Sequence, residues 1–350
     1  MKLPIIILFA LLVFIAPQSH SQTKVTFINP GYAHSNPTGD FWLNVTLFMQ
    51  AAADDLNINL TVQYADRNHI IMKQLVREAL QDTDSYLILV DEKSVIAHTL
   101  INSTHIHPAI IFLLNQPTQA QTKRLVKKGY GILGSLLPDN FQAGKLLAKK
   151  LVSLIDKPHR RYRNEMIALL GEAATLAAQQ REQGLLNYSN REPHLNLKQR
   201  VAANWSYDEA FQLTPGLLKR FPDTKLIWSA NDAMAFGAAA ALTELGLREK
   251  IKVGGVNWDQ KQSTHLDTSI GGHVTLGGLA MIKVFEHNQP ESMSVGDNIY
   301  PIFTVYSEKY APIYNAIHNK NIDDIDFSRF TVMNKAPLEY NLDALNSFFK

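Results

Sequence analysis

Cysteine is absent from all 350 residues, which removes disulfide staples, a thiol nucleophile and thiolate metal sites together. Charge of one sign is scarce as well. The 34 Lys and Arg nearly cancel 32 Asp and Glu, leaving +2, and no basic tract offers a surface to nucleic acid. Motifs for hydrolysis or nucleotide chemistry are missing too: there is no Gly-x-Ser-x-Gly, no His-Glu-x-x-His and no phosphate-cradling P-loop. Asp232 and Asp259 are two carboxylates in related places, but one helix cap and one hydroxyl acceptor account for them more economically than acid–base catalysis. An enzyme, a resident metal and a cofactor are therefore not expected. Long apolar runs are confined to the start. Lys2, the run 5–16 and Ser19-His20-Ser21 read as a signal peptide over 1–21, too short to span a bilayer. The mature chain is expected to begin near Gln22 and to be exported to the periplasm.

What remains is longer than one hydrophobic core usually holds, so two lobes are expected. Short apolar runs alternate with helical segments throughout, the pattern of an α/β chain with mainly parallel sheets. Residues 226–242 organise the reading. Leu226, Ile227 and Trp228 make a buried strand, and the chain turns at 229–232 into a helix of small residues. Asp232 stands where an N-cap belongs, and Asn231 sits on the turn at the strand's carboxyl end, where open α/β sheets place ligands. Residues 251–259 repeat the design, ending in Asn257, Trp258 and Asp259.

The order Asn231-Asp232, Ala235, Gly237 and then Val253-Gly254-Gly255-Val256-Asn257 resembles the periplasmic sugar-binding proteins of the ribose/galactose-binding type, which share their fold with the lactose-repressor effector domain. Asp139-Asn140 followed by Gly144 resembles the family's opening of the second lobe, with Asp139 as a cap and Gly144 as a helix–sheet packing site. The resemblance implies two Rossmann-like lobes joined by three crossings, near 131–135, 268–273 and 300–304. It divides the chain into 22–133 plus 271–300 as the N-terminal lobe and 134–270 plus 301–350 as the C-terminal lobe with a C-terminal extension.

It also implies a ligand set. The family's first loop carries an Asn-Pro-aromatic-aromatic signature, matched in parts by Asn36-Pro37 and Phe41-Trp42. Thr38-Gly39-Asp40 intervene, so either Asn36 or Asp40 takes the polar role. Aromatic planes bury the apolar C–H face of a sugar while its hydroxyls point to the rim. Asn115 ends an apolar strand, and its amide offers both a donor and an acceptor. Arg181 falls at the spacing from Gly171 where the family has an arginine, and a planar fork suits an oxygen-only ligand. Trp205 is expected to face Trp42 across the cleft, with Trp258 and His273 completing the set. Thr175 and Ala177 depart from the galactose branch. Removing Arg181, Asn231 or Asn257 is expected to weaken binding and leave folding alone, because an open cleft leaves these groups to water. The function implied is capture of a sugar or polyol by a monomeric periplasmic protein for an inner-membrane ABC permease. The alternative is a ligand-binding partner of a membrane sensor, a histidine kinase or cyclase. A repressor is not expected, since only the leader precedes the first strand.

Overall fold

The computed structural model describes residues 22–34, 38–156, 163–260, 264–290 and 293–349, so the expected leader and Asn36 lie outside the described residues. The chain opens with β1 (Thr23–Asn29), α1 (Phe41–Asp55), β2 (Ile58–Tyr64), α2 (His69–Ala79), β3 (Tyr86–Leu89), α3 (Val95–Asn102), β4 (Ile110–Leu113), α4 (Gln119–Lys128) and β5 (Ile132–Pro138). There follow α5 (Asn140–Ser153), β6 (Asn164–Leu170), α6 (Leu176–Ser189), β7 (Leu195–Ala202), α7 (Tyr207–Arg220), β8 (Thr224–Ser229), α8 (Asp232–Glu244), β9 (Lys252–Val256) and β10 (Thr268–Gly271). The last elements are α9 (Leu276–His287), β11 (Gly296–Tyr300), β12 (Thr304–Val305), α10 (Ala311–His318) and α11 (Leu342–Asn346).

Two six-stranded sheets result, ordered β11-β5-β4-β3-β1-β2 and β12-β10-β9-β8-β6-β7. The pairing is parallel apart from β10 with β12. Parallel strands buried on both faces need near-continuous apolar sequence, and β4 reads IIFL with every residue buried. In β1, Phe27 joins the core with α1 and α9, whereas neighbouring Ile28 joins the core with α2, α3 and α4. That split is the two-residue period of a strand covered by helices on both faces.

The chain passes between lobes after Pro138, after Gly271 and between Tyr300 and Thr304. The first crossing thus lies beyond the expected 131–135. Residues 132–138 remain in the first sheet because β5 pairs with both β4 and β11.

A second correction concerns residues 301–350, expected with the C-terminal lobe. Ile313, Ile317, Ile322, Ile325, Phe327, Phe330, Leu342 and Leu345 are buried in one core with Val45, Met49 and Leu279 of the first lobe. The Ser328 N–H donates to Asp55 Oδ2 at 3.1 Å, and the Val332 N–H to Glu286 Oε1 at 2.9 Å. The extension therefore covers an apolar face of α1 and α9 that would otherwise meet water. Among the described residues no helix is long and apolar enough to cross a membrane.

Candidate functional site

The carboxyl ends of strands from both sheets, with the second crossing, enclose a cleft holding about 660 Å³ of space not filled by atoms. Its walls are aromatic. Phe41 and Trp42, on the first turn of α1, meet edge to face at 5.0 Å between ring centres. Trp205, in the turn after β7, supplies a ring from the other lobe. It can lie so close because Gly171 sits beneath it, where a Cβ would come within 2.2 Å of the indole.

Arg181 forms the floor. Its helix α6 meets α5 at Gly144, where a Cβ would stand 1.9 Å from the Arg181 carbonyl oxygen. Gly144 thus permits helix-to-helix contact, rather than the helix–sheet contact expected. Arg181 is 5% exposed. Nε donates to Asn140 Oδ1 at 2.9 Å, Nη1 to the Ala230 carbonyl at 2.6 Å, and Nη2 meets His273 Nε2 at 3.2 Å. Its carbon lies 5.7 Å from the centres of the Trp205 and Phe303 rings. Burial lowers the Arg181 pKa to about 10, opposed by Asp232, so the group stays charged at neutral pH. His273 is held well below its ordinary value by burial and by Arg181. A neutral imidazole can then accept at Nε2 and carry its proton on Nδ1. Phe41 stacks on this ring at 4.7 Å and Phe303 lies against it at 4.4 Å.

The asparagines differ in what they can offer. Asn115 lines the cleft at the end of β4, 6% exposed, and its Oδ1 has no partner among the described residues. Asn231, not Asp232, caps α8: Oδ1 accepts the Met234 N–H at 2.9 Å and Nδ2 donates to the Trp205 carbonyl at 3.1 Å. Both ends of that amide are engaged, so Asn231 ties the Trp205 turn to the helix. Asp232 lies one residue inside the helix, fully buried, where Oδ2 accepts from the Asp259 N–H and the Ser269 hydroxyl at 2.9 and 2.6 Å. Asn257 donates Nδ2 to Asp259 Oδ2 at 3.2 Å, which leaves its carbonyl oxygen as an acceptor for the cleft.

Three expected residues among the described ones, Asp40, Trp258 and Asp259, do not line the cleft. Asn36 lies outside the described residues. Asp40 precedes α1 without a side-chain cap bond, and its neighbour Thr38 takes the cleft position instead. Asp259 stands behind Asn257. Trp258 is corrected outright: its indole is 1% exposed and turned among Tyr306, Tyr310 and Tyr314, away from the cleft.

Sequence reasoning missed the Arg67–Glu92 pair. Both residues line the cleft, and Arg67 Nη1 lies 3.0 and 2.9 Å from the two Glu92 carboxylate oxygens. Arg67 follows β2 and Glu92 follows β3, so the strand-end rule was a signal for both. Asn140 also belongs to the site, as the partner of Arg181 Nε.

Burial pushes the Asp259 carboxyl up to about 7, with Asp40 adding to the rise and Asn257 and Lys320 opposing it. For an acid whose pKa is raised on folding, the native state holds the proton more tightly. The associated stability is complete below its ordinary value of 3.8 and is lost as pH rises through about 7. Asp259→Asn is therefore expected to flatten the decline of stability across that window, measured by urea denaturation at several pH values. A parallel decline in the variant would show that another group titrates.

Residues 31–268 match the family described as periplasmic binding protein domain. A D-apiose import binding protein of Actinobacillus succinogenes is 30% identical over 131 residues, 37% of this chain and 41% of the relative. The D-allose-binding periplasmic protein of Escherichia coli is 27% identical over 147 residues, 42% of this chain and 46% of the relative. The chain thus spans less than half the length of either relative in these alignments. Among solved structures, a periplasmic sugar-binding protein from Pseudomonas fluorescens is 30% identical with a TM-score of 0.79, covering 92% of this chain and 99% of that one. A solute-binding protein from Actinobacillus succinogenes with bound D-allose, 19% identical with a TM-score of 0.69 over 85% of this chain and 100% of that one, shares the fold. These relatives are binding proteins, not enzymes. The two parallel sheets, the three crossings and the match over 31–268 together place this chain in the periplasmic binding protein domain family.

Proposed function

We propose that the chain captures a small sugar or polyol between its lobes in the periplasm and delivers it to an inner-membrane ABC permease. One observation carries the ligand class: a single cleft joins a buried arginine beside the Trp205 ring of one lobe, the Phe41 and Trp42 rings of the other, and an asparagine whose carbonyl lacks a partner. The rings suit the C–H face of a sugar, and the amide and guanidinium suit its hydroxyls. Arg67 is paired with Glu92, and Arg181 is held by Asn140, the Ala230 carbonyl and His273, which suits a neutral ligand. The 1–21 leader supports export, and the import role borne in the D-apiose relative's name supports delivery. The protein acts as a monomer, and it needs no cofactor to hold its ligand.

Lys93 of the first lobe and Glu172 of the second form an ion pair between the lobes, a contact that closure of the lobes would make. A ligand stabilises the closed state only by its differential affinity. Calorimetry of the mature chain against D-apiose, D-allose, D-arabinose, galactofuranose and small polyols tests the reading. Saturable binding of one of them is expected, and failure of the whole panel would overturn the ligand class. Lys93→Ala is expected to weaken that affinity no more than about fivefold, since a partly exposed pair contributes about 0.2–1 kcal/mol. The loss should shrink at high salt. A loss that salt does not alter would show that Lys93 acts otherwise.

A further inference from the structure

The turn that presents Asn257 is an improbable piece of backbone. Asn257 has φ 145° and Trp258 has φ 64°, and neither is glycine. Such conformations persist where the surroundings over-determine them. In the second lobe itself, the Trp258 N–H donates to Ser269 Oγ at 3.1 Å. Gly271 packs against its indole, and further restraints on Trp258 come from the C-terminal extension. His318 Nε2 lies 2.8 Å from the Trp258 carbonyl oxygen. Burial lowers the His318 pKa, and the carbonyl can only accept, so Nε2–H is the donor. The indole packs against Tyr310 at 5.9 Å and Tyr314 at 6.3 Å between ring centres. Helix α10, which carries Tyr314 and His318 and has Tyr310 at its N-cap, is anchored in the first-lobe core by Ile313 and Ile317.

We propose that the extension completes the ligand site from behind, with Tyr310, Tyr314 and His318 as positioning residues that hold Trp258 and, through it, set the Asn257 amide against the ligand. None of the three lines the cleft. Their effect reaches the ligand through one peptide unit, so it depends on Asn257 being a ligand contact. The proposal therefore rests on the sugar-binding reading above, and it gives the extension a part in affinity beyond covering α1 and α9.

A double-mutant cycle separates positioning from a merely structural role. Calorimetry is run on the full mature chain, Asn257→Ala, His318→Phe and the double variant, with whichever sugar of the panel the parent binds. Each single change is expected to weaken affinity about tenfold, the scale of one hydrogen bond. The double variant should be little weaker than Asn257→Ala alone, because both changes remove the same interaction. His318→Gln, which keeps an N–H donor, should recover most of the loss. If His318→Phe fails to fold, Tyr310→Leu, at a half-buried ring, supplies the same cycle. Fully additive losses, or unchanged affinity in His318→Phe or in its Tyr310→Leu replacement, would overturn the proposal while leaving the cleft assignment standing. A parent that binds no sugar or polyol would overturn both.

Discussion

Arg181→Ala is expected to weaken sugar binding by about a hundredfold or more and to lower the unfolding free energy by about 3–5 kcal/mol. The first effect follows from the N–H donors on Nη1 and Nη2 that remain for ligand oxygens once Asn140, the Ala230 carbonyl and His273 are served. The second departs from what an open cleft would imply. Arg181 is not left to water: Asn140, the Ala230 carbonyl and His273 all meet it, from α5, the β8 turn and the second crossing. Its charge also opposes the buried Asp232 carboxylate, whose pKa is already raised by burial. Removing the cation takes away a favourable charge near that buried carboxyl and strips partners from Asn140 Oδ1, the Ala230 carbonyl and His273 Nε2. Arg181→Lys should fall between parent and alanine variant, since it keeps the charge but cannot reach three partners in one plane. Urea denaturation and calorimetry on the same preparations provide the check. An unchanged denaturation midpoint in Arg181→Ala would refute the structural half, and unchanged affinity the ligand half.

Trp258→Ala carries the other large expected effect, a destabilisation of about 3–5 kcal/mol. Its indole is 1% exposed and fills the seam between the second sheet, the crossing at Gly271 and the extension. A Cβ at Gly271 would stand 2.2 Å from its Cγ, so there is little room for the site to repack. Trp42 and Trp205 are only partly buried and line the cleft. Their replacement by alanine should chiefly cost affinity. Fluorescence distinguishes the roles. The ligand-induced change should survive in Trp258→Phe and vanish in the Trp42→Phe/Trp205→Phe double variant. A signal carried instead by Trp258 would mean that its surroundings, and not the cleft walls, respond to the ligand.

The strand-to-helix alternation, and with it the two-lobed fold, could be read from the sequence alone. Periodicity of apolar residues is a local property, and each short run such as 110–113 or 226–229 can do little but lie buried in a sheet. The placing of Asn115, Asn231 and Asn257 at one cleft was legible for a related reason, since parallel strands bring their carboxyl ends to the same edge, whereas Arg181, on α6, was placed only through its spacing from Gly171 in the family it resembles. Local pattern stops short of direction and partnership. Whether Asn231 or Asp232 caps α8 depends on one residue of register, and Ser269 and Asp259, far along the chain, draw Asp232 inward. Trp258 follows Asn257 directly, yet positive φ at both residues turns one toward the cleft and the other into the tyrosines of the extension. The pairing of Arg67 with Glu92, and the burial of 313–345 against the first lobe, join segments with no common local signal. Those choices were made by tertiary structure, because burying an apolar face or a charge depends on which distant surface arrives to cover it, and that is settled only when the whole chain is packed.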